Sequence, residues 1–186
     1  MKFSTKQDLR ERGLTLLRSQ REEERLKKSL SIKDRLFANN DILNAKTILF
    51  YASFDGEVNT FPMIKEARQL GKRVALPRID KEAGEFTPEL YKDSQELESG
   101  PFGIKQPKSD PAGSLAIEDV DAIVVPGVAF DLDNYRLGRG GGFYDRFLSK
   151  IHSRVPSIGL AFDFQCVDQI PELGDHDIPV SCVVSG

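Results

Sequence analysis

The stretch that decides the fold is residues 46–79, "KTILFYASFDGEVNTFPMIKEARQLGKRVALPRI", because it combines a strand, a helix and a second strand. Its first eight residues form the continuous apolar run expected of a strand that helices cover on both faces. A helix should then begin after Asn59 or Thr60 as the N-cap. Pro62 in its first turn and Gly71 just past its end are typical of helix boundaries. The strand that follows completes a βαβ unit, which predicts parallel pairing and a right-handed crossover.

Two helices are predicted before this unit. The first covers residues 4–18, whose leucines stand near helical spacing. Ser19 and Glu22 then form a capping-box pattern, which would satisfy two amide donors at the start of the second helix. The apolar face predicted for the second helix consists of Leu26, Leu30, Leu36 and Phe37.

The rest of the chain continues the alternation of strands and helices. Further strands are predicted at 84–91, 121–126, 156–162 and 179–184, and a further helix from Phe143 to His152. Residues 92–116 are rich in Gly and Pro, and a loop of that length inside a domain is usually functional or mobile. The pattern predicts one domain over residues 1–186, a three-layer α/β/α sandwich with a mostly parallel sheet and N-terminal helices.

Composition places the chain among soluble globular proteins. Of its 186 residues, 39% are hydrophobic and 30% are charged, which suits one domain with a substantial core. Uncharged runs reach only nine residues, about half of the length that a membrane-spanning helix needs. The N-terminus lacks the apolar region of a secretory signal, and Cys166 and Cys182 form no CxxC pair. We therefore expect a cytoplasmic protein without a membrane partner.

The charge of the chain is unevenly distributed. Residues 1–40 carry eleven Lys and Arg against six Asp and Glu, a net charge of +5 within a total of -3. This basic end could contact an anion, or it could be a solvated helix surface with paired charges. A nucleic-acid partner is not expected, because the chain as a whole is acidic and Glu22–Glu24 interrupt the basic residues.

A glycine-rich loop lies between the strand predicted at 121–126 and the helix that should begin at Phe143. In open α/β sheets the ligand crevice lies at the carboxyl ends of the strands, where such loops emerge. The four glycines of the loop allow positive φ and leave amide N–H groups free to surround an anion, and they are Gly138, Gly140, Gly141 and Gly142. Arg136 and Arg139 add cationic donors suited to phosphate oxygens.

Each candidate feature also has a plainer interpretation. A glycine cluster can be only a tight turn, and Asp145 can simply complement a helix dipole. Either Asp145 or Asp131 could hold Mg2+, which binds one or two carboxylates together with phosphate oxygens and water. Glu57 should face the crevice after the first strand, or be a solvated loop residue. The loop matches neither a Walker A motif nor a Rossmann fingerprint, and the isolated His152 and His176 predict no zinc site.

One longer motif is more specific than these features. The segment "VVPGVAFDLDNYRLGRGGGFYDRFL" closely resembles the signature of the 5-formyltetrahydrofolate cyclo-ligase family, also called 5,10-methenyltetrahydrofolate synthetases. The resemblance extends over almost the whole chain, through "KQDLR", "SFDGEVNT", "PFGIKQP" and "IGLAFDFQ…IPELGDHDIPV" in that order.

The resemblance implies an activity. Members of the family close the N5-formyl group of 5-formyltetrahydrofolate onto N10, using ATP and Mg2+, and give 5,10-methenyltetrahydrofolate, ADP and phosphate. This implies a ligase that forms a C–N bond through phosphorylation of the formyl oxygen and attack by N10. We expect a monomer with ATP and the folate as partners and Mg2+ as cofactor. Two alternatives stay open: a non-catalytic nucleotide- or folate-binding module, and a protein that handles a sugar phosphate or CoA on a similar sheet.

The resemblance also implies roles for particular residues. Lys6 and Arg139 would act in catalysis, and Asp145 and Asp177 would hold Mg2+. The residues implied for ATP binding are Lys6, Arg10, Arg136, Gly138, Arg139, Gly140, Gly141, Gly142, Phe143 and Tyr144. Those implied for folate binding are Tyr51, Phe54, Glu57 and Phe102. Some members have a lysine where this chain has Gly141, so Lys6 and Arg139 would neutralise more of the phosphate charge here. Many members have "VD" where this chain has Val180-Ser181, a difference that concerns the C-terminal contacts and not the glycine loop.

Overall fold

A computed structural model describes residues 4–92, 97–110, 113–151 and 155–186 of the protein. The helices are α1 (Lys6–Ser19), α2 (Glu22–Phe37), α3 (Asn40–Asn44), α4 (Phe61–Gln69) and α5 (Phe143–Leu148). None of the helices within these ranges is both long and apolar enough to cross a membrane. The strands are β1 (Thr47–Leu49), β2 (Arg73–Asp80), β3 (Glu85–Leu90), β4 (Leu97–Ser99), β5 (Lys105–Pro107), β6 (Ala122–Val125), β7 (Ala129–Phe130), β8 (Arg136–Leu137), β9 (Ser157–Ala161) and β10 (Cys182–Ser185).

Six strands form the main sheet, in the order β10-β9-β6-β1-β2-β3. All neighbours pair in parallel except β3, which runs antiparallel to β2 at one edge. At the centre, Ile48 of β1 lies beside Val74 of β2 on one side and Ala122 of β6 on the other. The strand–helix–strand unit predicted over residues 46–79 is confirmed, and so is its parallel pairing.

Helices cover both faces of this sheet. Successive side chains along a strand point to opposite faces, so neighbouring residues of β1 pack in different cores. Ile48 belongs to a core that includes Leu36 of α2 and Met63 of α4. Leu49, the next residue, belongs to a second core that includes Phe147 of α5. The predicted three-layer α/β/α arrangement with N-terminal helices is therefore confirmed.

The capping box predicted at the start of α2 is wrong. Ser19 is the last residue of α1, and its hydroxyl donates to the carbonyl oxygen of Leu16 at 3.1 Å. The N-cap of α2 is Arg21, whose side chain makes no capping hydrogen bond. Three acidic residues, Glu22–Glu24, fill the first turn of α2 and favour it through the helix dipole.

The apolar face predicted for α2 is also partly wrong. The residues that α2 buries are Ser29, Ile32 and Leu36, whereas Leu26 and Leu30 are 37% and 48% exposed. The two sets lie on adjacent stripes of the helix, and both are spaced for a helical face. Packing against the sheet selects the stripe that contains Ile32, since Ile32 and Leu36 join the same core as the central strand β1.

Two element boundaries differ from the prediction. α5 ends at Leu148. Just after it, the backbone hydrogen bonds span three residues instead of four, since the Lys150 amide donates to the Phe147 carbonyl oxygen at 3.0 Å. The predicted end at His152 lies outside the described residues. The last strand begins at Cys182, three residues later than expected, and Pro179 before it cannot donate to a strand ladder.

The segment predicted as an irregular loop, residues 92–116, is partly ordered into strands. β4 and β5 pair antiparallel, with Glu98 opposite Gln106. The Gln106 side chain accepts a hydrogen bond from the amide of Ile79 in β2 at 3.1 Å. This small sheet is thereby fixed to the carboxyl half of β2.

The observed face of α2 leads to a stability prediction. Ile32→Ala should lower the free energy of unfolding by about 3 kcal/mol, because it removes a fully buried side chain and leaves a cavity. Leu30→Ala, on the same helix but half exposed, should change it by less than about 0.5 kcal/mol. Urea unfolding of both variants measures the difference. Equal losses from the two variants would contradict the observed packing.

Candidate active site

A cavity of about 740 Å³ lies at the carboxyl edge of the parallel strands. Its walls come from the segments that follow β1 and β6, from the end of β2, from the glycine loop and from the N-terminal part of α1. All sixteen residues to which the family resemblance assigns a role line this one cavity. The structure therefore brings together side chains from positions 6 to 177 of the chain, and their roles stay predictions.

The glycine loop is shaped by a small hairpin and by positive φ angles. β7 and β8 pair antiparallel just before it, and Gly140 and Gly142 have φ of +102° and +66°. Gly141 has no room for a side chain in this conformation, since an added Cβ would lie 2.8 Å from the ring of Phe143. The Arg10 side chain of α1 donates from Nε to the carbonyl oxygen of Gly138 at 3.0 Å. The loop is thus attached to α1.

A cation and an anion meet at the N-terminal end of α1. Lys6 Nζ lies 2.6 Å from Asp177 Oδ2, which also accepts from the Gly174 amide at 2.7 Å. Burial alone would raise the pKa of Asp177, but the bonds from Lys6 and Gly174 outweigh burial and lower it. Asp177 is therefore an ionised carboxylate at neutral pH.

A buried arginine forms the floor of the cavity. Arg136 is only 5% exposed, and its Nη2 lies 3.0 Å from Oδ1 of Asp145. Burial lowers the pKa of Arg136, while Asp145 opposes that shift. Among the described residues, Nε and Nη2 of Arg136 and the hydroxyl of Tyr144 are buried without a well-formed hydrogen bond. The floor of the cavity thus combines an ion pair with polar atoms that lack a well-formed hydrogen bond.

Asp131, the other metal candidate, is used inside the fold. Its Oδ1 accepts from the amides of Asp133 and Tyr135 at 3.1 and 2.9 Å, and its Oδ2 accepts from the Ile170 amide at 3.1 Å. The residue is 6% exposed and does not line the cavity. Asp131 therefore orders the hairpin loop, and its carboxylate is not free for a metal.

Two of the carboxylates that line the cavity, Asp145 and Asp177, suit magnesium in combination with a phosphate ligand. No group of three or more His, Cys, Asp or Glu side chains within the described ranges could hold a metal by itself. Asp145 and Asp177 nevertheless border the same cavity, and Mg2+ usually takes one or two carboxylates and completes its shell with phosphates and water. The donor set fits Mg2+ that arrives with a phosphate ligand.

Arg139 joins the glycine loop to the segment after β1. Its Nε lies 3.2 Å from Glu57 Oε1, and its Nη1 lies 2.8 Å from Asp55 Oδ2. Its Cζ stands 4.2 Å from the centre of the Phe54 ring, a cation–π contact. Arg18 of α1 bonds the same Asp55 carboxylate, at 2.8 Å from Nη2 to Oδ2. Asp55 was not among the predicted site residues, although it lies within the motif "SFDGEVNT".

Glu57 is an unusual member of this group, because it is buried. It is 7% exposed, and its Oε2 accepts from the Phe54 amide at 3.2 Å. Burial raises the pKa of Glu57 to about 7, despite the opposing effect of Arg139. Near neutral pH the carboxyl group can therefore be present in both protonation states.

Aromatic side chains form the other walls of the cavity. Tyr51 is buried and donates from its hydroxyl to the Val58 carbonyl at 3.2 Å. Phe102 is 58% exposed, has φ of +60°, and meets Phe143 edge-on at 6.1 Å between ring centres. Phe86 of β3 also lines the cavity, although it was not among the predicted site residues. These rings offer flat apolar faces to a ligand.

The fold and the cavity define an α/β protein with a charged cavity at the carboxyl edge of a mostly parallel sheet, where such sheets bind ligands. The sequence profile of the 5-formyltetrahydrofolate cyclo-ligase family matches residues 2–186. The chain therefore belongs to this family, as its signature predicted, and the family is one of enzymes.

Individual relatives agree with the family match. The 5-formyltetrahydrofolate cyclo-ligase of Escherichia coli K12 is 37% identical over 153 residues, covering 81% of this chain and 84% of its own. The enzyme of the same name from Mus musculus is 33% identical over 190 residues, covering 97% and 93%. The solution structure of Aquifex aeolicus 5,10-methenyltetrahydrofolate synthetase superposes with a TM-score of 0.83 at 34% identity, covering 97% of this chain and 89% of its own.

The buried carboxyl group leads to a pH prediction. The pKa of Glu57 is about 7 in the folded protein and about 4.5 unfolded. Its contribution to stability is therefore complete below pH 4.5 and is lost as the pH rises through 7. Between pH 5 and pH 8 the wild type should lose on the order of 2 kcal/mol of unfolding free energy relative to Glu57→Gln. Urea unfolding of both proteins at the two pH values measures this, and parallel pH profiles would contradict it.

Proposed function

We propose that the protein cyclises 5-formyltetrahydrofolate to 5,10-methenyltetrahydrofolate in a reaction that requires ATP and Mg2+. The observation that carries this proposal is that one cavity joins a cationic glycine loop to a buried carboxyl group flanked by aromatic rings. A cationic glycine loop suits a polyphosphate, and a carboxyl group among aromatic rings suits the flat, amide-bearing pterin. The family match supports the same substrate class.

The phosphates of ATP would bind on the side formed by α1 and the glycine loop. Lys6, Arg10 and Arg139 supply positive charge there. The amides of Gly138 and Gly140–Gly142 would surround the terminal phosphates, because glycines carry no side chain to shield them and the positive φ of Gly140 and Gly142 favours an anion-binding loop. Arg136 would hold Asp145 in place from below.

The folate would bind on the opposite side. Glu57 would accept hydrogen bonds from the pterin N–H groups, since its carboxyl group lies at the end of the first strand and borders the cavity. Tyr51 and Phe54 would pack against the ring, and Phe102 would cover it from the partly ordered loop. This arrangement would direct the formyl group toward the glycine loop.

The chemistry requires activation of the formyl oxygen. That oxygen attacks the γ-phosphorus of ATP, forming an O–P bond while the bond to the β–γ bridging oxygen breaks and ADP leaves. N10 then attacks the formyl carbon, forming the new C–N bond and losing its proton. The C–O bond breaks last, and phosphate leaves with the original formyl oxygen. Such transfer needs positioning and charge stabilisation rather than a protein nucleophile.

Magnesium would be held by Asp145 and Asp177 together with phosphate oxygens of ATP. When bound, it would neutralise negative charge that develops during transfer. The protein contributes two fixed carboxylates, since Arg136 orients Asp145 and Lys6 orients Asp177. We also propose, on composition alone, a cytoplasmic monomer without a nucleic-acid or membrane partner.

The direct test is turnover by the purified protein. With 5-formyltetrahydrofolate, ATP and MgCl2, the absorbance of the methenyl product should rise, with one ADP formed for each product molecule. Omission of ATP or MgCl2 should abolish the rise. Binding of both ligands without any product would instead indicate a non-catalytic binding module.

Arg139→Ala should lower the rate at least about tenfold, because it removes positive charge at the developing phosphoryl oxygens, a loss on the order of 1.4 kcal/mol. Arg12→Ala is the matched control, since Arg12 is an exposed arginine of α1 that does not line the cavity. Equal rates for Arg139→Ala and Arg12→Ala would remove Arg139 from the mechanism.

A further inference from the structure

All three nitrogens of the Arg139 guanidinium group contact oxygen atoms of the segment after β1. Nε bonds Glu57, Nη1 bonds the Asp55 carboxylate, and Nη2 lies 3.4 Å from the Asp55 carbonyl oxygen. Glu57 is equally engaged, because one oxygen accepts from Arg139 and the other from the Phe54 amide. The residue expected to meet ATP and the residue expected to meet the pterin are therefore each other's partners.

These contacts compete with both substrates. The five donors of a guanidinium lie in one plane as a rigid fork, and a bidentate phosphate contact needs two neighbouring donors of that fork. Such a contact therefore competes with Asp55 and Glu57 for the donors that Arg139 directs to them. In the same way, a pterin N–H that bonds Glu57 Oε1 competes with Arg139 for the same acceptor oxygen.

Loss of the Arg139 contact is unfavourable when no other donor replaces it at Glu57. Glu57 is buried, and burial disfavours its charged form, which Arg139 helps to stabilise. Without another donor, the buried carboxylate would keep only the Phe54 amide and lose its cationic partner, a costly arrangement. Pterin N–H groups would supply the replacement donors. Release of Arg139 is therefore easiest when the folate is bound.

We propose that Asp55 and Glu57 hold Arg139 until a folate bonds Glu57, so that the folate and ATP bind with positive cooperativity. This inference rests on the proposed function, because it assigns the two substrates to the two sides of the cavity. Reciprocity requires that ATP raise the affinity for the folate by the same factor. Asp55 is then a positioning residue, which acts through Arg139 and need not touch either substrate.

Asp55 is well suited to hold an arginine. Its pKa is lowered, first by the hydrogen bond from Arg18 and further by Arg139, so it stays ionised at neutral pH. Its backbone has φ of +49°, and the next residue, Gly56, could not carry a Cβ, which would lie 2.2 Å from the Leu17 carbonyl oxygen. The segment that carries Asp55 is thus tightly packed on α1.

The cooperativity can be measured by calorimetry under conditions without turnover. An ATP analogue with a β,γ-imido bridge, in MgCl2, is titrated into the protein with and without saturating 5-formyltetrahydrofolate, and the folate is titrated with and without the analogue. Each ligand should lower the dissociation constant of the other by the same factor, roughly five-fold or more. Asp55→Asn should bind the analogue alone more tightly than the wild type and show a smaller factor, because only Glu57 then holds Arg139. Asp34→Asn, an exposed position on α2, should keep the wild-type factor.

The outcomes separate this inference from the proposed function. A factor of one in the wild type, with normal turnover, would overturn the cooperativity and leave the function standing. A wild-type factor retained in a folded Asp55→Asn protein would show that Asp55 does not hold Arg139 back. Failure of both ligands to bind, together with no turnover, would overturn both proposals.

Discussion

The contact of Arg139 with Asp55 and Glu57 is the interaction on which the site depends, because it joins the two segments that form opposite sides of the cavity. One segment follows β1 and the other precedes α5. Neither segment belongs to the sheet, so the strands alone would not fix the distance between them. The ion pairs do this at 2.8 and 3.2 Å, and in the pair with the buried Glu57 the surroundings strengthen the electrostatic interaction.

Helix α1 supports both sides of this contact. Near its N-terminus, Arg10 bonds the glycine loop and Lys6 bonds Asp177. Near its C-terminus, Arg18 bonds Asp55, and the Leu17 backbone lies so close to Gly56 that only glycine fits. These contacts account for part of the positive charge in the first 40 residues. The basic end is thus a structural element of the cavity as well as a source of cationic groups.

The sequence allowed the sheet to be predicted, and the family resemblance selected residues that line one cavity, but neither indicated the contacts among those residues. The pattern of residues 46–79 was sufficient because periodicity and helix boundaries are local properties. The buried face of α2 was not predictable in this way, since Leu30 and Ile32 are similarly apolar and only packing on the sheet separates them. The partnership of Asp55 with Arg139 spans 84 positions, and no local pattern indicates it.

The central claim is that this cavity transfers phosphate to the formyl oxygen of the folate before N10 attacks. The most direct measurement uses 5-formyltetrahydrofolate labelled with oxygen-18 in the formyl group, incubated with the protein, ATP and MgCl2. If the account is correct, the released inorganic phosphate carries the label, visible as an isotope shift in its phosphorus NMR signal. Unlabelled phosphate, with the label in water, would contradict it.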